Sequence, residues 1–429
     1  MTANIPTALD TRIAALETEL LQLKRQRTQL RGKPPKPLDG VRILDLSRFI
    51  FGPFCSQILA DMGADVIKVE ALGSGDPARR SGTVFVNGES ASFFARNRNK
   101  RSMAINLRHS AAQDVMLRLA QQSDVLLHNF RPGVMQRMNL GVERVHGVNP
   151  RLVYCSLSGY GQSGPAANWP GQDILIQGMS GIVSTTGWEN GPPVAVGTYL
   201  ADVTGALTAT YGILAALQAQ AQYGIGQEVT VSLLDSMIML QSMEATVYLN
   251  DGKTPTRSGS GHWMLPQPYG VYQTADEPMI LNAHSDDWWA RLCAAPEFTH
   301  LSEEPRFATR DARWQHGLEL IAALEAILCT KPRAAWLDYL GQYDVLCAPV
   351  YTYEALFDDP QVQHNGIVVE QQHPVAGTVQ VIGPVVNFSA TPGAVGPASP
   401  RLGEHTEAIL QQLGYQTTEI ERLREAGTI

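Results

Sequence analysis

The chain has 429 residues and a formal net charge of −8, which predicts more than one lobe and excludes the overall basic surface of a nucleic-acid-binding protein. Its five cysteines are odd in number and far apart, which argues against a disulfide framework or a metal site. Because no apolar run approaches the roughly eighteen residues of a membrane helix and the first residues lack a secretory signal pattern, we expect a cytoplasmic protein without a metal, nucleic-acid or membrane partner.

The first predicted element is an amphipathic helix over residues 7–31. Apolar residues recur at alternating steps of four and three, with Arg27 in one slot: Leu9, Ile13, Leu16, Leu20, Leu23 and Leu30. This spacing is a heptad pattern. About three heptads are short for a stable free coiled coil, so we expect packing against the chain's own body or a second subunit. The segment "GKPPKP" (32–37) predicts a linker.

The body that follows alternates short apolar runs with helical patterns. The runs cover residues 41–46, 65–70, 124–130 and 151–159. Near-continuous apolar strands separated by helices are typical of a parallel, doubly wound α/β sheet. Long apolar helices are predicted over about 202–220 and 231–246.

The pattern changes after residue 255, where tryptophan clusters, hairpin signals and short helices predict a smaller α+β domain. We therefore divide the chain into a helical extension and linker (1–37), the N-terminal part of the large domain (38–225), linker helices with the small domain (226–355), and a C-terminal segment that returns to the large domain (356–429).

Asp202 raises the first functional question, because it stands alone ahead of about fifteen small and apolar residues. One interpretation is a helix N-cap, since aspartate oxygens accept hydrogen bonds from free backbone N–H groups. The other is a reactive carboxylate held at the positive end of a helix. The residue pattern alone leaves both open.

Two segments carry cations or polar groups beside predicted strands. "NRNKRS" (97–102) is either a solvated surface or a site for an anionic ligand. "HNFRPG" (128–133) ends a strand, where ligands of open α/β sheets lie. Asn129, Phe130 and Arg131 are thus placed to contact a ligand, whereas His128 is more typical of a structural residue.

Three glycine-rich segments predict either turns or close backbone approach to a ligand. "GYGQSGP" (159–165) and "TTGWENGPP" (185–193) flank Asp173. "SGSGHW" (258–263) contains Gly259, Gly261 and His262 and is a candidate lid over the substrate.

Taken in order, these segments resemble the class III CoA-transferases, the family of formyl-CoA transferase and carnitine CoA-transferase. The resemblance covers residues 38–429 and is carried by the set rather than by one motif. It includes "PLDGVRILDLSRFIFGPFCSQILADMGADVIKVEALGSGD", "HNFRPGVMQRMNLG", "NPRLVYCSLSGYGQSGP", "QDILIQGMSG", "GTYLADVTGALTATYGILAAL", "GIGQEVTVSLLDS" and "LGEHTEAIL".

The resemblance implies that Asp202 is the nucleophile of CoA transfer. It implies no permanently bound cofactor, with coenzyme A thioesters and carboxylic acids as substrates. Asp173 aligns with an acid near the nucleophile, where it either orients substrate and tunes Asp202 or makes a buried hydrogen bond. By family position, the CoA groove is lined by Ile105, Arg108, Asn129, Phe130 and Arg137, beside Arg131.

Departures from the formyl-CoA branch bear on the substrate. Ile50 replaces an active-site glutamine of that branch, so we expect neither oxalate nor formate. Ala71 stands where that branch has an arginine among the positions that contact the adenine and phosphates of CoA. A C4–C5 dicarboxylate with succinyl-CoA as donor fits better. Arg48, at the end of the first strand, is a candidate for the distal carboxylate or a surface residue.

Two alternatives remain. α-Methylacyl-CoA racemases share the motifs but need a histidine where this chain has Gln172, and glutamine is no general base. The second alternative is a non-catalytic, CoA-binding subunit of a hetero-oligomer. The resemblance itself implies an interlocked, ring-like homodimer.

Overall fold

The computed structural model describes residues 8–31 and 34–429. Its strands are β1 (Arg42–Asp45), β2 (Asp65–Ala71), β3 (Phe85–Val86), β4 (Glu89–Ser90), β5 (Lys100–Ile105), β6 (Val125–His128), β7 (Val153–Ser158), β8 (Glu228–Ser232), β9 (Tyr269–Tyr272), β10 (Met279–Asn282), β11 (Leu346–Pro349), β12 (Val368–His373) and β13 (Gly377–Ile382).

The helices up to the middle of the chain are α1 (Ala8–Arg31), α2 (Phe51–Asp61), α3 (Ala91–Phe94), α4 (Ser110–Gln121), α5 (Val134–Arg137), α6 (Val142–His146), α7 (Asp173–Met179), α8 (Ile182–Thr185), α9 (Leu200–Tyr223), α10 (Leu233–Leu240) and α11 (Ser242–Asp251). Those that follow are α12 (Asp286–Ala294), α13 (Thr299–Glu303), α14 (Arg310–Gln315), α15 (Gly317–Leu328), α16 (Arg333–Gly341), α17 (Tyr353–Asp358), α18 (Pro360–Asn365), α19 (Thr406–Gln412) and α20 (Thr417–Glu425). A 3₁₀ turn covers Pro77–Arg79.

Within the described residues, six strands form one parallel sheet in the order β5-β2-β1-β6-β7-β8. Both β6 and β7 are buried along their whole length, as expected for strands covered on two faces. Successive residues of β1 pack on opposite faces of the sheet, since Ile43 and Leu44 lie in different core clusters. The prediction of an α/β fold with a parallel sheet is confirmed.

Helices cover both faces of this sheet. The α2 and α9 side chains pack on one face, and those of α4, α6, α19 and α20 pack on the other. Ile409 of α19 and Ile420 of α20 are fully buried, so the end of the chain contributes to the core of the first half. The sixth strand, β8, lies just beyond residue 225. The domain boundaries themselves stay predictions.

A smaller antiparallel sheet, β11-β10-β9, lies later in the chain. Its core is separate from that of the large sheet and includes Trp289 of α12, Leu324 of α15 and Trp336 of α16. The ring of Trp336 packs edge-on against Phe298. Large aromatic side chains thus provide much of the apolar area that stabilises this small unit.

Helix α9 holds the candidate nucleophile and packs on one face of the large sheet. Its length and composition would allow it to cross a membrane, which the sequence analysis did not anticipate. However, α9 packs on α2, α7, α10 and the sheet, and 44% of its apolar window is buried there. A Cβ at Gly205 would lie 2.7 Å from Leu233 and 2.8 Å from the Phe51 ring, so glycine allows this close approach. The buried side of α9 is therefore part of the core of the large unit.

Helix α1 contrasts with the rest of the chain, because its described side chains are exposed. The apolar residues of its heptad positions retain about half of their accessible surface or more: Leu9 68%, Ile13 45%, Leu16 49%, Leu20 52% and Leu23 56%. Of the two expected packing arrangements, the one against the chain's own body is therefore wrong.

Candidate active site

The carboxylate of Asp202 lies in the first turn of α9 but does not cap the helix. The cap position is occupied by Tyr199, whose side chain makes no capping bond. The backbone N–H groups of Ala201 and Asp202 instead donate to Asp173 Oδ1, at 2.7 and 3.0 Å. The N-cap interpretation of Asp202 is therefore wrong, because a carboxylate from another helix satisfies these N–H groups.

Asp173 reaches α9 because it is the first residue of α7, where it is buried. Its second oxygen, Oδ2, accepts a hydrogen bond of 2.6 Å from Gln177 Nε2, one turn later. The same amide donates to the carbonyl of Thr198 at 3.1 Å and accepts from the backbone of Val196 at 2.9 Å. Asp173 and Gln177 together fix the segment that leads into Asp202.

Burial and the neighbouring Asp173 carboxylate raise the pKa of Asp202 to about 7, while Arg96 acts in the opposite direction. Burial removes water that would stabilise the charged form, and a nearby like charge adds to this effect. A group with this pKa is about half ionised at neutral pH. Buried groups with strongly shifted pKa values cluster at functional sites.

Arg96 and Gln177 are site residues that the sequence analysis missed. The guanidinium of Arg96 donates to the carbonyl and hydroxyl of Ser92 and lies 5.7 Å from the ring of Tyr199, the residue at the start of α9. Burial lowers the pKa of Arg96, and the charge of Asp202 counteracts this effect. The available signal for Arg96 was its position immediately before the basic run of residues 97–102.

The cations of residues 97–102 have a structural role. Arg98 makes two hydrogen bonds to Asp61, and Lys100 donates to Asp45 at 3.1 Å inside the core. Arg101 is paired with Asp65. Both sequence interpretations of this run are wrong for its central members, because Arg98 and Lys100 are neither solvated nor open to an anionic ligand.

Residues that follow adjacent strands meet at the carboxyl edge of the sheet, as the parallel topology requires. Asn129, after β6, accepts from the backbone N–H of Arg48 and donates to its carbonyl, both at 2.9 Å. The Arg48 guanidinium lies 4.6 Å from the centre of the Phe130 ring. Asn129 thus positions the backbone after β1, and the exposed Arg48 side chain is held over an aromatic face.

The other residues expected to line a CoA groove fall into two groups. Ile105, the last residue of β5, is fully buried in the core, so its side chain does not line a groove in this structure. Arg108, Arg131 and Arg137 are exposed. All three follow the carboxyl ends of β5 or β6, which places their charges at the same edge as Arg48.

The two glycine-rich segments at 185–193 and 258–263 pair with each other. The backbone N–H of Gly259 donates to the carbonyl of Gly187 at 3.0 Å in an isolated antiparallel bridge. Arg257 reinforces this pairing with bonds to the carbonyls of Trp188 and Glu189, each 3.2 Å. A Cβ at Gly259 would lie 2.5 Å from the Trp188 ring, so this position requires glycine.

His262 lies in the second of these loops, and Gln172 lies at the start of α7. His262 Nε2 lies 3.2 Å from Glu244 Oε1, and its Nδ1 accepts from the backbone of Met264. A Cβ at Gly261 would lie 2.8 Å from the carbonyl of Tyr269, so glycine allows the loop to approach β9 closely. Gln172 is exposed at the N-cap position of α7 and makes no capping bond.

Most of the chain matches one protein family. Residues 38–406 match the sequence model of CoA-transferase family III. The chain belongs to CoA-transferase family III. This family III member is 36% identical to the succinyl-CoA:glutarate CoA-transferase of Mus musculus, over 92% of the chain and 90% of the relative. It is 32% identical to the formyl-CoA:oxalate CoA-transferase of Escherichia coli O139:H28, over 92% and 99%.

The fold of the family III chain is also found in a solved structure. A CAIB/BAIF family protein from Brucella suis superposes with a TM-score of 0.80 at 33% sequence identity, covering 89% of this chain and 100% of that protein. The resemblance inferred from the ordered segments is thus confirmed, and the chain is a CoA-transferase. Residues 1–37 lie outside the matched range.

Proposed function

We propose that this enzyme moves CoA from an acyl-CoA donor to a carboxylic acid through a covalent intermediate on Asp202. The observation that carries the proposal is a partly buried carboxylate whose pKa is raised to about 7, in the first turn of an apolar helix. An ordinary solvated aspartate is a weak nucleophile because water stabilises its charge. Burial removes that stabilisation and makes the ionised form more reactive.

The first half-reaction consists of two acyl substitutions. The Asp202 carboxylate attacks the thioester carbonyl, the C–S bond breaks, and a mixed anhydride and CoA thiolate result. The thiolate then attacks the aspartyl carbonyl of the anhydride, which releases the donor acid as a carboxylate and leaves Asp202 as a CoA thioester. The acceptor carboxylate reverses both steps, so CoA leaves on the acceptor and Asp202 is regenerated. No net proton transfer is required.

Asp173 is proposed as a positioning residue. It holds two N–H groups of the first turn of α9, and its charge contributes to the raised pKa of Asp202. Because these two N–H groups are occupied, they do not serve at the same time as donors to an oxyanion. Arg96 is the nearby cation that acts on Asp202, and we assign it the stabilisation of negative charge during substitution.

The proposed acids are C4–C5 dicarboxylates, with succinyl-CoA as donor. The name of the mouse relative specifies succinyl-CoA and glutarate, whereas that of the E. coli relative specifies formyl-CoA and oxalate. Ile50, buried beside α2, stands where the formyl-CoA branch has glutamine. The exposed guanidinium of Arg48 supplies a cation for the distal carboxylate. Arg108, Arg131 and Arg137 are proposed to bind the phosphates of CoA at the same edge.

We propose a homodimer, interlocked as in related transferases, and a cytoplasmic location. Large apolar side chains are exposed on three successive helices of the described chain, which favours a protein partner for this face. They are Leu207 and Tyr211 of α9, Ile238, Met239 and Leu240 of α10, and Met243, Tyr248 and Leu249 of α11. Light scattering on the purified chain tests the dimer, and a monomeric mass would contradict it.

A screen of acyl-CoA donors against acids, followed by mass spectrometry, tests the activity. We expect CoA exchange between succinyl-CoA and a C5 dicarboxylate, and a CoA adduct on the enzyme when donor is present alone. Exchange of the α-proton of a 2-methylacyl-CoA without CoA transfer would instead identify a racemase. An inactive pure chain that regains activity with a related subunit would support the hetero-oligomer.

A further inference from the structure

Helix α1 presents an apolar stripe that no part of the described body covers. The five heptad residues from Leu9 to Leu23 are 45–68% exposed. They recur at steps of four, three, four and three, which keeps them on one side of a helix. At 1.5 Å per residue, the stripe from Leu9 to Leu23 covers about 21 Å of the 24-residue helix. A stripe of this length and spacing matches another helix better than a globular surface.

We propose that α1 pairs with α1 of a second copy of this chain in a parallel two-stranded coiled coil. In heptad terms, Ile13 and Leu20 occupy a positions, and Leu9, Leu16 and Leu23 occupy d positions. Each of these side chains meets its own counterpart in a parallel pair, so the five layers from Leu9 to Leu23 are apolar. Arg27 occupies the next a position and lies outside this apolar stretch. An isoleucine at an a position and leucines at d positions suit a two-stranded pair.

The flanking charges select the partner and the orientation. In a parallel pair, the g residue of one helix lies beside the e residue five positions later on the other. Arg12 is a g residue and Glu17 is the matching e residue, so each helix places an arginine beside a glutamate of its counterpart. The antiparallel pair with the largest overlap places Glu17 beside Glu17 and Glu19 beside Glu19, which is repulsive.

Three heptads alone are marginal in water, so the pairing rests on the proposed homodimer. When the bodies associate, the two helices are tethered by the short segment 32–37, and their effective concentration rises to about the millimolar range. Under that condition a weak helix pair forms. The coiled coil then adds stability to the dimer without touching the active site, which explains why an exposed apolar helix is tolerated.

Disulfide trapping in the full-length enzyme tests the pairing. Leu16→Cys places a thiol at a d position, and Thr18→Cys places one on the opposite, outer side of the same helix. After mild oxidation, non-reducing electrophoresis is expected to show several-fold more cross-linked dimer for L16C than for T18C. The unmodified enzyme gives the background from its exposed Cys329.

Charge exchange tests the orientation. In the L16C background, Arg12→Glu is expected to slow cross-linking, and adding Glu17→Arg is expected to restore it. A protein that is dimeric by light scattering but cross-links equally at 16 and 18 overturns the coiled coil alone. A monomeric protein overturns the homodimer and the coiled coil together. If neither Arg12→Glu nor the added Glu17→Arg changes the rate of cross-linking at residue 16, the parallel g–e pairing is wrong.

Discussion

The backbone N–H of Asp202 donates to the carboxylate of Asp173, 3.0 Å away, so the two acids of the site are linked through the main chain. Their own negative charges repel, and this repulsion adds to burial in raising the pKa of Asp202. Asp173 therefore has two effects. It accepts hydrogen bonds from N–H groups in the first turn of α9 that would otherwise be unsatisfied, and its charge makes Asp202 easier to protonate.

Replacing the nucleophile is expected to abolish transfer. Asp202→Asn should lower kcat by at least about 10³-fold, as expected when a covalent nucleophile is removed. With donor acyl-CoA alone, intact-mass analysis should show a CoA adduct on the unmodified enzyme, and peptide mapping should place it on residues 198–210. An adduct on Asp173 or on a cysteine would contradict the mechanism and leave the fold unchanged.

The same substitution has an expected effect on stability. Because the folded protein holds the pKa of Asp202 above the usual 3.8, this carboxylate destabilises the fold progressively as pH rises from about 4 to about 7. Asp202→Asn removes that penalty. The variant should therefore unfold at a higher temperature than the unmodified enzyme at pH 8, with a smaller difference at pH 5. An equal gain at both pH values would show that charge is not responsible.

Asp173→Asn should shift the acid limb of the pH–rate profile to lower pH. It removes the like charge that helps to raise the pKa of Asp202, while an amide oxygen still accepts from the N–H groups of α9. The bond from Gln177 Nε2 to Oδ2 is lost, at a cost of about 1 kcal/mol. The measurement is kcat/KM against pH, and adduct formation should persist. A shift to higher pH would contradict the assigned coupling.

Arg96→Met should shift the same limb in the opposite direction. Arg96 lowers the pKa of Asp202, so its loss leaves a smaller ionised fraction at neutral pH. Above the shifted pKa, any remaining deficit in kcat measures its role in stabilising charge during substitution. Arg80→Met is the matched control, since Arg80 is exposed and lies outside the site. Equal profiles for the two variants would exclude Arg96 from the chemistry.

Gly259→Ala tests whether the two glycine-rich loops act as one unit. The new Cβ would lie 2.5 Å from the Trp188 ring, so the pairing with Gly187 should be displaced and KM for the acid should rise. Gly252→Ala is the control: its φ is also positive, at 71°, but a Cβ there meets nothing within 4 Å. Both variants place alanine at a positive φ, but only Gly259→Ala also brings a Cβ against the Trp188 ring. Equal effects would show that strain alone is responsible.

Arg48→Met should separate dicarboxylic from monocarboxylic acceptors. The Arg48 backbone is held by Asn129 and its guanidinium by the Phe130 face, so methionine leaves the backbone bonds intact. KM for a C5 dicarboxylate should rise about tenfold or more, in line with a lost charge-assisted hydrogen bond. KM for a monocarboxylic acid of similar length should change little. A uniform rise for both acids would assign Arg48 to CoA binding instead.

The sequence by itself determined the fold class and the family. Near-continuous apolar runs separated by helical patterns have few packing solutions, and the parallel sheet is the one that buries them on both faces. The position of Asp202 at the start of an apolar helix was also predictable from the sequence, because helical spacing and a lone charge are local features. The heptad spacing of α1 was equally predictable, but its exposure was not, because the same spacing is compatible with packing against the chain's own body.

Only the tertiary structure decided which groups surround that aspartate. The cap of α9 comes from Asp173, 29 residues earlier, and the nearby cation Arg96 precedes Asp202 by more than a hundred residues. Arg98 and Lys100, two and four positions after Arg96, instead form buried ion pairs with Asp61 and Asp45. One-dimensional spacing does not distinguish these three cations, because their roles depend on which carboxylate the packed sheet and helices bring within a few ångströms. Burial, the largest cause of the raised pKa of Asp202, exists only once the chain has folded.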